Sequence, residues 1–280
     1  MIRAVLDQLS EPVVMKGLAQ VGVATALAAV VIGISYLRDV GIETELGRSF
    51  VRGFVQVVAM GAVIGVLFSI RLAWSTIVIA VMMGFAAWIS KNRGAGVPNV
   101  FRVSLVSIGM GAGVVIVTML AAGAIEATVR NLIPVGGMII SSAMKTNSLA
   151  LDRIKGEIRS NRAEIEAVLA LGAPPERVVS EYVTTSARAS LIPMVDALKS
   201  LGLVYIPGMM SGMILAGSNP IYAALYQFVI MGMLFAASGL TSMLSLGLVG
   251  GYAFTEANQL KLFEETEPRS LAEVFTSVFP

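Results

Sequence analysis

The sequence predicts an all-α fold: a polytopic bundle of about seven transmembrane helices carrying a helical hairpin on its cytoplasmic side. Three observations predict it. The 280 residues are 56% hydrophobic and only 14% charged, with a mean hydropathy of +0.82, whereas soluble domains carry about 25% charged residues. Several apolar runs reach the roughly 20 residues that a helix needs to cross a bilayer. One polar segment, Asp152–Ser190, interrupts this pattern and has helical periodicity of its own.

The expected spans are Gly17–Leu37, Phe50–Ile70, Leu72–Ile89, Val103–Ile125, Leu132–Leu151, Leu191–Gly217 and Ile221–Tyr252. Gly and Ala recur in all of them, as close packing of membrane helices favours. Lys and Arg set the orientation. Lys91, Arg93 and Arg102 follow the third span, and Arg153, Lys155, Arg159, Arg162, Arg177 and Arg188 follow the fifth. The alternate loops carry only Arg71 and Arg130, so the loops after spans three and five are expected in the cytoplasm. A chain of this kind belongs in a membrane as a multi-pass protein, of the bacterial plasma-membrane type. A transmembrane domain is expected over 1–254, with the polar segment 152–190 inside it and an acidic tail over 255–280. In the tail, Ser270 and Glu273 match a capping box.

Within the polar segment, Ile154, Ile158, Ile165 and Leu169 fall near one helical face. Gly172 stands where a helix stops with a left-handed residue. Pro174 and Pro175 suit the first turn of the next helix, which sets Val178, Val179, Tyr182 and Val183 on one side. These apolar faces need a cover, which favours a docking partner over a bare solvated loop.

The same composition excludes much chemistry. The chain has no Cys and no His, so it lacks thiolate ligands, the commonest metal ligand and the usual neutral-pH base. No catalytic set, resident metal site or bound cofactor is expected, and no Walker A pattern is present. The net charge of +2 gives no reason to expect nucleic acid. Polar residues inside spans are costly in lipid and mark pathways or partners. Arg52 and Gln56 stand one turn apart. Asp196 and Lys199 stand three apart and can pair on one face, unless the cations snorkel to the interface. Gln227 follows Tyr226 in the last span. Pro207-Gly208 kinks the sixth span or hinges it, beside Met209 and Met210, whose thioethers are adaptable.

Together these residues resemble a known family. The run Ser186-Ala-Arg188-Ala-Ser-Leu-Ile-Pro193, then Asp196, Lys199, Pro207-Gly208-Met209-Met210-Ser211-Gly212, Asn219-Pro220 and Tyr226-Gln227, is similar to the FetB-like permeases of ABC transporters. Arg52 and Gln56 match that family's Arg-x-x-x-Gln, and Leu171-Gly172-Ala173-Pro174 its Leu-Gly-Ala-Thr-Pro run, without the threonine. Ser141-Ser142 and Asn219 depart from its Gly-Asn and Asp. The run from Glu166 to Gly172 also resembles the coupling motif of ABC importers.

The resemblance implies a permease that forms a homodimer in lipid. A separate ATP-binding subunit would carry ATP and Mg. The hairpin would dock on that ATPase through Glu166, Gly172, Ala173, Pro174 and Glu176. The pathway would use Arg52, Gln56, Asp196, Lys199, Pro207, Gly208, Met209, Met210 and Gln227. Iron or a metal-related small solute would be the cargo, exported. From the residues alone, an ion-coupled carrier and a non-transporting scaffold remain open alternatives.

Overall fold

In the computed structural model of the protein, residues 12–68 and 71–252 are described. The acidic tail, with its capping box at Ser270, lies outside them. The described residues form nine helices in two compact units divided after Ser69.

The first unit holds α1 (Pro12–Leu37) and α2 (Glu43–Leu67). The turn between them uses left-handed backbone at Asp39 and Gly41. Glu43 closes it, its carboxylate accepting from the Ser35 hydroxyl (2.9 Å) and the Gly41 N–H (3.1 Å). Its own backbone N–H, then the Ser35 hydroxyl, and last the Gly41 N–H hold the Glu43 carboxyl below the usual carboxylate range. A carboxylate in the first turn also complements the helix dipole.

The second unit holds α3 (Leu72–Lys91), α4 (Val100–Ala121), α5 (Val129–Ser160), α6 (Arg162–Ala170), α7 (Pro175–Ser200), α8 (Gly208–Leu215) and α9 (Pro220–Tyr252). Among the described residues, four helices are long and apolar enough to cross a membrane: α1 over Val14–Leu37, α3, α4, and α9 over Pro220–Gly251. The chain is an integral, multi-pass membrane protein.

Two structural differences from the expected spans matter. The fifth span continues into the start of the hairpin's first arm: α5 runs 32 residues, or ~48 Å, well past a hydrocarbon core of roughly 30 Å, before Asn161 separates it from α6. The sixth span, expected as a single kinked helix over Leu191–Gly217, is two pieces. α7 starts back at Pro175 and stops at Ser200; α8 resumes at Gly208. Gly202 takes φ +78°, and Pro207 has no N–H to continue a ladder and keeps its predecessor extended. The backbone therefore leaves the helix seven residues before Gly208 instead of bending there.

Two apolar clusters fill the second unit. One joins α3, α4, α5 and α9 around Ile108, Ala112, Val135, Ile139, Ile230 and Met233. The other lies toward the hairpin, where Ile154, Ile158 and Ile165 pack with Val100, Val103, Leu246 and Val249. At the α4–α9 crossing the helices nearly touch. A Cβ on Gly111 would strike the Thr241 hydroxyl and lie 2.8 Å from the Thr241 backbone nitrogen. Glycine here supplies closeness, as small residues do between membrane helices.

Candidate functional site

Three places in the molecule carry polar or irregular structure that packing alone does not require. The first is the hairpin. α6 ends in a Schellman motif: the Gly172 N–H donates to Leu169 O (2.9 Å) and the Ala173 N–H to Val168 O (3.3 Å), with Gly172 at φ +86°. This closes the helix on its own carbonyls. Pro174 is then extended, Pro175 opens α7, and the Arg177 N–H donates to Pro174 O (3.0 Å). The sharp break expected at Gly172-Ala173-Pro174 is present.

The apolar faces of the hairpin cover each other. Ile165 and Leu169 of α6 meet Val178, Tyr182 and Val183 of α7, over Ile154 and Ile158. The need for cover is met inside the chain, so it is no argument for a partner. What remains outward is the tip: Leu171 is 87% exposed and Val168 37%. Glu166 beside them is exposed and paired with Arg162 (2.8 Å), an i,i+4 contact of small energetic weight. Burial, then Glu164, Glu181 and Glu157, push the Tyr182 hydroxyl above the usual tyrosine range.

The second place is the unwound segment Leu201–Pro207 with α8. The N–H groups of Val204 and Tyr205 both turn back to Ser200 O (2.9 and 3.0 Å). Leu203 and Val204 are almost fully exposed, while Pro207 is buried. Met209 packs on the same apolar cluster as Tyr226, whose ring stacks on Tyr222 at 6.3 Å. Gln227, next in α9, is buried with its Oε1 unpartnered. Thus Gly208, Met209, Met210 and Gln227 fall on α9 or on the short helix packed against it, and Pro207 stands at the N-cap of that helix. Asp196 and Lys199, one turn before the break, are both exposed. The carboxylate and ammonium form no ion pair; Asp is short, and the three-residue offset leaves both heads free to turn outward. Arg52 and Gln56 sit in the first unit on α2, both exposed.

The third place was not singled out from the sequence. α9 carries Ser238, Thr241, Ser242 and Ser245 on one face, all fully buried. Ser238 bonds Ser142 of α5 (2.9 Å), and Ser242 bonds Ser190 of α7 (2.7 Å). Nearby, the Asn147 amide donates to Ser104 of α4 (3.0 Å). Ser186 Oγ, Ser107 Oγ and Thr241 Oγ1 are buried without partners. The i, i+3, i+4, i+7 spacing on α9 was the available signal, but isolated serines among Gly and Ala read as ordinary small-residue packing. Among the described residues, no group of three or more His, Cys, Asp or Glu gathers as a metal site.

Comparison with known proteins places this architecture. The pattern of the Uncharacterised protein family (UPF0014) matches residues 18–254. The chain is 32% identical over 238 residues to "Probable iron export permease protein FetB" of Escherichia coli, covering 85% of this chain and 92% of that one. It is 32% identical to "UPF0014 membrane protein STAR2" of rice over 85% of this chain and 84% of the relative. It is 28% identical to "Protein ALUMINUM SENSITIVE 3" of Arabidopsis thaliana over 89% and 92%. No solved structure matches. The match spans every helix from the middle of α1 through α9, and the chain belongs to the UPF0014 family of membrane proteins.

Proposed function

We propose that this chain is the membrane-spanning subunit of an ATP-driven transporter of the ABC type, and that it exports a metal such as iron, or a metal-related small solute. Two copies form the pathway, with about seven spans each. A separate ATPase supplies ATP and Mg chemistry, and the chain itself is a non-catalytic transport subunit. The relative named an iron export permease supports the permease role and the cargo class.

The hairpin tip carries the reading. A Schellman-closed turn at Gly172 holds Leu171 almost fully exposed, although the rest of the hairpin has buried its own apolar faces. An exposed leucine on a hydrogen-bonded turn, at the end of a helix that carries Arg162, Glu164 and Glu166 in the open, suits insertion into a groove of a soluble partner. Glu166, Gly172, Ala173, Pro174 and Glu176 then form the coupling contact. Because α7 runs unbroken from the tip into the bundle, and α6 joins α5 across Asn161, movement of the tip reaches the membrane along both arms. The unwound segment 201–207 lets α8 respond separately. Energy enters as differential binding of the ATPase to two states of the permease.

The test is purification of the tagged chain from its native membrane. A soluble P-loop ATPase recovered at one-to-one stoichiometry is the expected result. A stable chain recovered alone, and transporting under an ion gradient, overturns the proposal. Attention would then move to Asp196 and Lys199.

A further inference from the structure

The α7–α9 contact carries serines at a four-residue spacing on both helices. Its present register is fixed by two independent contacts. Ser190 meets Ser242 hydroxyl to hydroxyl at 2.7 Å. A Cβ on Gly250 would lie 3.7 Å from a Val183 methyl and 3.9 Å from one of Val179. The helices are therefore antiparallel: going back along α7 goes forward along α9. Ser186, one turn before Ser190, lies at the level of Leu246. It is fully buried with its Oγ unpartnered, and the hydroxyl of Ser245, beside Leu246, is buried and unpartnered as well. A buried unpaired hydroxyl is destabilising, because its lost hydration is not replaced.

Ser186 and Ser190 are four residues apart, and so are Ser238 and Ser242. A slip of one helical turn, ~5.4 Å, that carries α7 away from the hairpin end brings Ser186 to Ser242 and Ser190 to Ser238. Two hydroxyl pairs replace two, Ser190–Ser242 and Ser142–Ser238, and the orphan moves from fully buried Ser186 to Ser142. Ser142 gives up Ser238, but Ser142 is only half-buried, so it is not stranded. A slip the other way sets Ser190 against Leu246 and Ser186 against Gly250, with no partner for either. Ala187 between the α7 serines is small, and on α9 the Val179 and Val183 methyls lie over Gly250, which offers no side chain to block them.

We infer that α7 shifts by one turn along α9, exchanging the Ser190–Ser242 pair for Ser186–Ser242 and Ser190–Ser238. This is a discrete two-state element within the bundle, of the one-turn kind known from other switching proteins. It deepens the transporter reading above and rests on it for the driving force alone. Since Pro175–Ser200 is one helix, the slip displaces the hairpin tip and the unwound segment together.

The chain contains no cysteine, so cysteine pairs can be introduced without removing any. S190C/S242C reports the present register, its serines already at bonding distance. S186C/S242C is one turn out of reach in that register, beyond what a disulfide spans. The full complex in native membranes is oxidised with and without ATP. Both pairs are expected to cross-link, with their ratio changing on the order of tenfold between nucleotide states. Single-cysteine S186C and S242C chains, which must insert and retain their partners, guard against misfolding. A bound ATPase with only S190C/S242C cross-linking in every state overturns the slip and leaves the transporter reading intact. Both cross-links in a chain that binds no ATPase overturn the ATPase reading and uphold the slip.

Discussion

Replacing Gly111 by Ala sets two effects of opposite sign against each other. Alanine is the better helix former, by about 1 kcal/mol, so propensity alone predicts a more stable protein. The α4–α9 crossing predicts the reverse. The new methyl would strike the Thr241 hydroxyl and lie 2.8 Å from its backbone nitrogen and 3.1 Å from its Cα. Carbon contacts settle at about 3.5–4.0 Å, so α9 must recede by roughly 1 Å. Two of the three nearest atoms are backbone, and no side-chain rotation relieves them. Overpacking of this kind costs about 1–3 kcal/mol. Gly109, two residues earlier on the same helix, is the internal control, since its Cβ would meet nothing within 4 Å. Gly109→Ala should gain what propensity offers. The difference between the two variants, about 1–3 kcal/mol, isolates the crossing. Heating each variant in detergent and measuring the surviving monodisperse fraction by size-exclusion chromatography gives the ranking Gly109→Ala, parent, Gly111→Ala. Equal survival of the two variants would refute the tight crossing. Thr241→Ala in the Gly111→Ala background should rescue only in part, because the backbone contacts remain.

Gly172→Pro removes the N–H that closes α6 and the left-handed turn, and Glu166→Arg reverses the charge beside the tip; both should weaken ATPase recovery in a pull-down while membrane insertion persists, and unchanged recovery would count against the docking role. Pro207→Ala should leave docking intact and alter transport, since it permits α8 to extend backward; full transport in that variant would remove the unwound segment from the mechanism. Asp196→Asn should impair transport more than Lys91→Gln, and equal small effects would make Asp196 a plain interfacial residue. The raised pKa of Tyr182 means the folded hairpin holds the phenolic proton more tightly than the unfolded chain. Its contribution is complete below the ordinary tyrosine pKa of ~10 and is lost as pH rises through the folded value. Limited proteolysis of the hairpin should therefore accelerate above pH ~10, and Tyr182→Phe should abolish that step.

Composition and periodicity made the bundle and the hairpin legible. Gly172 and the two prolines located the hairpin break to the residue, because a left-handed terminus and a fixed proline φ are local demands. The interruption of the sixth span was legible only at its far end. Pro207 announced it, but where the helix stops depends on Gly202 and on Ser200 O gathering the following N–H groups, which no single residue type reveals. Long-range pairing was beyond the sequence. Ser142 with Ser238, and Asn147 with Ser104, are joined by helix register across about 40 to 100 positions. The hairpin's apolar residues, expected to need an outside cover, find it within the chain for the same reason. The cover came from Val100, Leu246 and Val249, distant in sequence.

The unbroken course of α5 fixes length as firmly as composition. Each residue turns a helix by about 100°, from 3.6 residues per turn. One residue inserted between Ser142 and Ile158 would leave Ser142 facing α9 while swinging Ile158 and all of α6 a quarter-turn or more away from Leu246 and Val249. The tip would then point elsewhere with every side chain intact. Insertions and deletions should be tolerated in the connections at 122–128 and 216–219. They should be excluded from 142–170, where a single codon changes the phase between the hairpin and the bundle.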